Sequence, residues 1–582
     1  MASGPGTYVA DGSGGPLVID NTDSTDVTHA EEDEDPASAP DAAGTGPEPD
    51  APDLEALGDV MLSIEAGTEV FDLESEAGAR EQDEQPGEQG QPGEQQGQET
   101  PGDTSGGSTA PLHKKMATSA SQLFIRCIAV QLLSALSTAI LARKLGIAGF
   151  GDYSAGLAMY YLALSVCDFG FGNVLARELG KHRADDGRLV RSMLHVQTAW
   201  SSLVGLAVVG FCLAVGLGAV RIQVLMVLAP AVALFGLSGV RQVFYANYRT
   251  GRLGAIDVST NVLQLLVVAT VAFAGGGPLA VAIALSVMIL VNTVVVAVAG
   301  LRLIDTRTAT PVVRKRMLVD ALPLGMSSLL ASAYFTLDLS IVGFLVSSRE
   351  VGYYAAATKA LTLLVTVPGL VITAVVPGMS SHAGSPKALG ELAGRVWHWL
   401  AVTAVPLCVA VMLFAPLFVS LYYGREYRPA VPLVRILAAS GVVAVLSNVF
   451  GTTMVVTRRN RWLVVQGAIA LVFNVAGNLI FVPHFGVTAS AWLTVLTELL
   501  VCAGSIIGMR HSLEFGPMVH TTLVPALALA AMIAVWLGTR QWSVVSLVTS
   551  CLAYGIVLSV LGGWPEELPP IVPRRLVLWK HG

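Results

Sequence analysis

From about residue 119 onward the chain is a succession of apolar stretches, each roughly twenty residues long and joined by short polar connections. About 20 apolar residues are what a helix needs to cross about 30 Å of hydrocarbon. Inside hydrocarbon every backbone N–H and C=O must be satisfied within the structure, which leaves helices or closed barrels. Stretches this long and continuous read as helix, so the sequence predicts an all-α polytopic membrane protein with about 14 transmembrane helices. The composition agrees, with 53% hydrophobic and 13% charged residues against about 25% charged in soluble domains. Mean hydropathy is +0.62.

The expected spans 1 to 6 cover residues 119–142, 152–174, 194–218, 222–247, 255–274 and 278–301. Spans 7 to 12 cover 319–346, 352–377, 396–422, 429–456, 462–482 and 487–509, and spans 13 and 14 cover 519–538 and 543–563. Basic residues sort between the alternate sets of connections 23 to 7. By the positive-inside rule this predicts an even number of spans and both termini in the cytoplasm.

Residues 1–115 are a different material. They hold runs such as EQDEQPGEQGQPGEQQGQETPGDTSGG, which cannot bury enough apolar surface to offset the entropy of ordering. We expect a disordered acidic cytoplasmic arm, since its first residues lack the basic and apolar regions of a secretory signal. The patch Asp53–Glu74 reads as plain disorder or as a transient amphipathic docking helix. The net charge of −8 comes from acidic residues clustered before residue 100, so it points to no nucleic-acid partner. Six cysteines (Cys127, Cys167, Cys212, Cys408, Cys502 and Cys551) lie apart in apolar stretches. They lack metal-ligand spacing and read as small packing residues. No cofactor is expected, and without a P-loop ATP-driven pumping is excluded from the reading.

An internal repeat divides the spans. GFGDYSAGLAMYYLALSV (Gly149–Val166) resembles SREVGYYAAATKALTLLVTV (Ser348–Val367). Aligning Gly151 with Gly352 places Tyr153 on Tyr354 and Ala155 on Ala356, an offset of 201 residues. Both copies follow an odd span and open an even one, so the first six spans and the next six run in the same orientation, as parallel repeats. The expected organisation is the arm (1–115), an N-terminal six-helix lobe (116–318), a C-terminal six-helix lobe (319–512), and two accessory helices with a cytoplasmic tail (513–582).

The segments ARKLGIAGFGDYSAG (Ala142–Gly156) and DFGFGNVLARELGK (Asp168–Lys181), with Asp338 and Gly352–Tyr354 further on, resemble the polysaccharide flippase family of the MATE-like (MOP) exporter superfamily. The resemblance covers roughly residues 119–510. It implies a transporter that flips a polyprenyl-diphosphate-linked oligosaccharide across the membrane by alternating access, for cell-surface polysaccharide export. Spans 1, 2, 7 and 8 then line the central cavity. Partners implied are the lipid-linked glycan, membrane lipids and, through the arm, cell-surface polysaccharide assembly proteins. Asp338 is followed by Leu339 and Ser340 rather than by a basic residue, a departure that weakens the direct carry-over of the family's ion-pair role there.

Ionisable groups at bilayer depth are costly and by default mark a pathway or a pair. Polar faces at helical spacing run through span 1 (Gln122, Arg126, Ser137), span 5 (Asp257, Asn261, Gln264) and span 7 (Ser327, Tyr334, Asp338). Others run through span 8 (Lys359, Thr362, Thr366, Thr373) and span 12 (Thr494, Glu498, Ser505). A diphosphate headgroup needs cations in a low-dielectric cavity. Arg126 and Lys359 are therefore the first candidates to contact it, with Arg241 next. Asp338 is a candidate to bind a coupling cation or to hold Lys359 in the empty state, and Asp168 is a candidate for coupling or cavity pairing. The competing reading is that these charges pair to tie helices together. Other functional classes weighed are a MATE-type cation-coupled drug antiporter, a membrane glycan polymerase or ligase, and a non-transporting scaffold. Several cavity cations argue against cationic drugs, and no long external loop is present to hold an enzyme site.

Overall fold

The computed structural model describes residues 110–181, 187–247, 249–303, 336–510, 512–541 and 543–565. The expected arm up to residue 109, the first part of span 7 (319–335) with Ser327 and Tyr334, and the tail from residue 566 lie outside them. The described residues form helices α1 (Ala110–Asp168), α2 (Phe171–Lys181), α3 (Gly187–Val215) and α4 (Val220–Ala233). A 3-10 turn, Phe235–Val240, leads to α5 (Arg241–Ala246), α6 (Thr250–Phe273) and α7 (Pro278–Leu301). Next come α8 (Thr336–Leu345), α9 (Ser348–Ser381), α10 (Pro386–Leu413) and α11 (Ala415–Tyr422). After a 3-10 turn at Arg425–Ala430 follow α12 (Val431–Val456), α13 (Asn460–Phe485), α14 (Val487–Met509), α15 (Gly516–Thr539) and α16 (Ser543–Val560). No strand occurs among the described residues.

Ten helices are long and apolar enough to cross a membrane, or eleven with one bent pair counted as a single span. Among the described residues the expected fourteen are thus not reached. The differences have local causes. Spans 1 and 2 are one run of helix, in which Gly146 alone is non-helical (φ 68°, ψ 175°). The expected loop there shrinks to one residue, because glycine takes a positive φ without the Cβ clash that other residues meet. Span 7 is described over its last eleven residues, and α16, at 18 residues, is short.

Span 4 is broken. Α4 and the Phe235–Ala246 segment meet at 45°. Pro230 removes a helical donor inside α4, and Ser201 of α3 takes up backbone groups at the break. Its hydroxyl donates to Ala233 O at 2.9 Å and accepts from Gly236 N at 3.0 Å. This is the internal satisfaction that irregular backbone at membrane depth requires. Gly236 permits the approach, since a Cβ there would lie 2.3 Å from Thr198 N.

Cores show how the helices are joined. One buried cluster lies within α1–α7 and includes Leu123, Leu175, Leu194, Phe244, Leu253 and Val296. A second lies within α9–α15 and includes Leu364, Met379, Leu400, Phe450, Met454 and Met509. A third draws on both sets and contains Leu141, Phe150, Tyr153, Val224, Val342, Tyr354, Tyr427 and Val487. Those residues lie near Gly146, at the end of the bundle called distal here. The two sets therefore share a core at the distal end and keep separate cores toward the proximal end, where α1 begins. A fourth cluster fastens α15 and α16 to α10 through Val402, Val409, Met532, Tyr554 and Leu558.

The repeat has a physical counterpart at the distal junction. Gly151 and Gly352 are packed backbone to backbone: a Cβ on Gly151 would lie 2.7 Å from Gly352 N, and one on Gly352 would lie 2.1 Å from Ile147 O. Small residues at crossings are how helices approach in lipid, where apolar surface alone gives no preference for a neighbouring helix over lipid tails.

Candidate functional site

The broken helix aims Arg241 and Tyr245 at α1 and α6. Arg241 Nη1 donates to Asp257 Oδ2 at 2.7 Å and Nη2 to Oδ1 at 3.0 Å, a bidentate pair. Arg126 Nε lies 2.9 Å from the same Oδ2, and its Nη1 donates to Tyr245 Oη at 2.9 Å. Asn292 of α7 completes the group, donating to Asp257 Oδ1 at 3.1 Å and accepting from Arg241 Nη2 at 2.9 Å. One turn toward the proximal end, Thr250 donates to Gln122 Oε1 at 3.2 Å. Asp257 is 4% exposed, whereas the Arg126 and Arg241 side chains keep 19% and 24%. Two guanidiniums on one buried carboxylate leave a net charge of +1. Burying an unpaired carboxylate is strongly unfavourable, which accounts for the first arginine; it does not account for the second.

Lys359 stands elsewhere. Its Nζ donates to Ser134 Oγ of α1 at 3.1 Å, eight residues distal of Arg126, or about 12 Å along the helix. Gln131 Nε2 donates to Thr366 Oγ1 of α9 at 3.4 Å. The structure thus brings Arg126 together with Arg241 and separates both from Lys359. Α1 carries two polar faces, Gln122 and Arg126 toward its own set of helices, and Gln131 and Ser134 toward α9.

Asp338 does not meet Lys359. Its Oδ1 accepts from Asn478 Nδ2 at 3.0 Å, and its Oδ2 from Thr494 Oγ1 at 3.0 Å and Tyr354 Oη at 3.5 Å. Ser490 donates to Tyr354 Oη at 3.0 Å, and Asn478 Nδ2 also reaches Asn474 O and Oδ1 at 2.9 and 3.0 Å. These neighbours are all neutral, the Asp338 residue is 9% exposed, and Asn478 Oδ1 is buried with no hydrogen-bond partner. Oxygen-rich, uncharged surroundings suit a proton or a small hard cation better than an arginine. Asp168 sits at the very end of α1, next to a break at Phe169 (φ 37°) and Gly170 (φ 72°), away from either group. Arg435 is exposed on α12.

The distal end is closed by bonds that cross between the two sets. Tyr427 Oη donates to Ala142 O at 3.0 Å, and Arg143 Nε to Tyr422 O at 3.2 Å. Tyr422 Oη donates to Ala135 O. From the other side, Arg221 donates to Gly343 O and, at 3.4 Å, to Val346 O. Ser348 Oγ donates to Asp152 Oδ1 at 2.6 Å, with Arg221 Nε 3.7 Å from the same oxygen. Ala142 and Gly343, the two capped carbonyls, are 201 residues apart, the offset of the repeat.

Sequence reasoning singled out Arg126, Arg241 and Asp338 but missed Asn292, Asn474, Asn478 and Tyr245. Asn474 and Asn478 carried a usable signal, an i, i+4 amide pair within an apolar span. Asn292 carried one too, as a lone amide in the most hydrophobic helix, of mean hydropathy 2.7.

Comparison with known proteins places this arrangement. Residues 117–382 match the model of the polysaccharide biosynthesis protein family, and residues 323–480 match the MatE model. A curated relative, the teichuronic acid biosynthesis protein TuaB of Bacillus subtilis (strain 168), is 23% identical over 124 residues. That alignment takes in 21% of this chain and 26% of the relative, so the chain matches about a quarter of its length. The fold is that of the lipid II flippase MurJ in an inward closed conformation, with TM-score 0.63 and 11% identity over 75% of this chain and 98% of that one. An inward-facing multidrug resistance MATE family transporter follows at TM-score 0.52 and 15% identity, over 65% and 94%. Helices and family models agree: this is a multi-pass membrane transporter of the MATE-like (MOP) superfamily, and its sequence resembles the polysaccharide biosynthesis protein family over residues 117–382.

Proposed function

We propose that the chain flips a polyprenyl-diphosphate-linked oligosaccharide from the cytoplasmic to the outer leaflet of the plasma membrane, for export of a cell-surface polysaccharide. The observation that carries this reading is the Arg126–Arg241 pair on Asp257, a net positive group with partly exposed arginine side chains at the level where the two sets of helices have separate cores. A diphosphate is the anionic headgroup that such a pair fits, since each guanidinium offers a fork matched to phosphate oxygens. The positive-inside count makes the proximal end cytoplasmic, so the closed distal end faces outward and the headgroup enters from within. Lys359, about 12 Å further out along α1, is then a second station on the route. The likeness to TuaB, a teichuronic acid biosynthesis protein, and to MurJ, a lipid II flippase, supports this reading. Net positive charge disfavours a cationic drug as cargo.

Asp338, ringed by neutral donors, is assigned the coupling proton or monovalent cation, in keeping with coupling sites inside other transporter bundles. Such a site couples flipping to an ion gradient, one of the energy sources open to a chain without a P-loop, beside the membrane potential and consumption of the glycan on the far side. The acidic arm is assigned a role in recruiting assembly proteins, outside the transport step.

The test replaces Arg126 or Arg241 with Ala and measures display of the glycan on the outer leaflet. Loss of one charge-assisted phosphate contact lowers display about tenfold or more at unchanged protein level. Undiminished display in both variants overturns the reading.

A further inference from the structure

Arg126 Nε and Arg241 Nη1 converge on one oxygen, Asp257 Oδ2, at 2.9 and 2.7 Å, and Arg241 Nη2 takes Oδ1 at 3.0 Å. Asp257 therefore fills the position between two arginines in which a single anion binds best. A further donor helps to fix it there. Asn292 Nδ2 donates to its Oδ1 at 3.1 Å and is itself anchored on Thr260 Oγ1 at 2.6 Å. The outward sides of the two arginines remain usable. Of the five N–H donors on each guanidinium, Nη2 of Arg126 and Nε of Arg241 donate to no protein atom among the described residues.

We propose that Asp257 is a built-in occupant of the single-anion position, so that the site accepts two linked phosphates and refuses a single one. A diphosphate spans the outward sides of both guanidiniums while Asp257 stays between them. A monophosphate reaches both arginines only by displacing a carboxylate that Asn292 and both arginines hold together. Discrimination of this kind arises from disfavouring the wrong ligand as much as from contacts to the right one. For a transporter of lipid-linked glycans, it keeps the bare lipid phosphate, which shares the same tail, from competing for the site. The inference rests on the reading above, that the headgroup is a polyprenyl diphosphate.

The experiment uses the full-length protein in lipid nanodiscs and two probes of equal chain length, polyprenyl diphosphate and polyprenyl phosphate. The wild type is expected to prefer the diphosphate. Asp257→Asn keeps the shape, removes the charge and opens the slot, so affinity for the monophosphate rises about tenfold or more while that for the diphosphate changes less. A double variant, Asp257→Asn with Asn292→Asp, returns a carboxylate to Arg241 from the neighbouring position and restores the preference. Parallel loss of both affinities in Asp257→Asn marks a residue that only ties helices together, and overturns the proposal. So does a folded double variant that binds both probes alike, which keeps the test decisive if the single variant fails to fold. A wild type that binds both probes equally overturns this inference alone, and one that binds neither overturns the diphosphate reading and this inference with it.

Discussion

Asp338 is the residue whose chemistry least resembles its surroundings. Its two oxygens accept from an amide, a hydroxyl and a phenol, and its neighbour Asn478 presents a buried oxygen with no donor. A carboxylate without a countercharge at this depth is expensive unless a proton or cation joins it. Asp338→Asn keeps the shape and the acceptor toward Thr494 while removing the ionisable group. The variant is expected to fold, to flip its cargo about tenfold more slowly, and to lose any response to an imposed proton or sodium gradient in proteoliposomes. Retention of the wild-type gradient response in that variant removes Asp338 from coupling. The isolation of Asp338 was legible in the sequence, as was that of Arg126 and Arg241. Their partners were not. Asp338 and Lys359 lie in adjacent apolar spans with opposite charge, so pairing them looked natural, yet the structure turns one toward α13 and α14 and the other toward α1.

At the scale of elements, the break in span 4 decides where Arg241 goes. A continuous helix from Val220 to Ala246 turns Arg241 by the helical period alone. The 45° bend re-aims it at Asp257. Ser201 carries the break by bonding a freed carbonyl and a freed amide at once. Ser201→Ala leaves Gly236 N without that partner, while Ala233 O keeps the Ser202 hydroxyl at 3.3 Å, and costs about 1–3 kcal/mol for the amide left unsatisfied. We expect a lower thermal unfolding midpoint in detergent and weaker binding of a diphosphate lipid, although Ser201 touches neither arginine. Unchanged headgroup affinity in a destabilised Ser201→Ala protein separates the break from the site. This element was hidden in the sequence for a physical reason. Pro230, Gly236 and Gly239 are tolerated in membrane helices when neighbours repair the backbone, and the repairing hydroxyl lies on another helix, some thirty residues away. The apolar lengths, by contrast, were legible because bilayer thickness sets them. The turn at Gly146 was legible only as a loop, since one left-handed glycine leaves no polar run to read.

For the whole molecule, the two sets of helices meet through a distal clasp with the symmetry of the repeat. Gly151 packs on Gly352, and the carbonyls of Ala142 and Gly343, separated by the same 201 residues, each accept from a long side chain of the opposite set. The two halves of the clasp differ in chemistry. Tyr427 closes one side within an aromatic group that includes Phe150 and Tyr353, and Arg221 with Asp152 and Ser348 closes the other. In the alternating access proposed above, this clasp opens while the proximal ends close. The glycines make closure possible, because any Cβ at either position collides with backbone of the other set. Gly352→Val therefore holds the distal end apart, and the protein shifts toward a conformation open on that side. Cysteines placed at Asp152 and Ser348, whose side chains bond at 2.6 Å, report the shift directly. In a variant with native Gly352 they cross-link on oxidation, block glycan display, and release it again on reduction. Adding Gly352→Val to that pair is expected to lower the cross-linking yield about tenfold, a shift of about 1.4 kcal/mol in the closed-to-open balance. Equal yields with and without the valine mean that the glycine contact is incidental to closure, and that the phenol and guanidinium caps alone hold the two sets together.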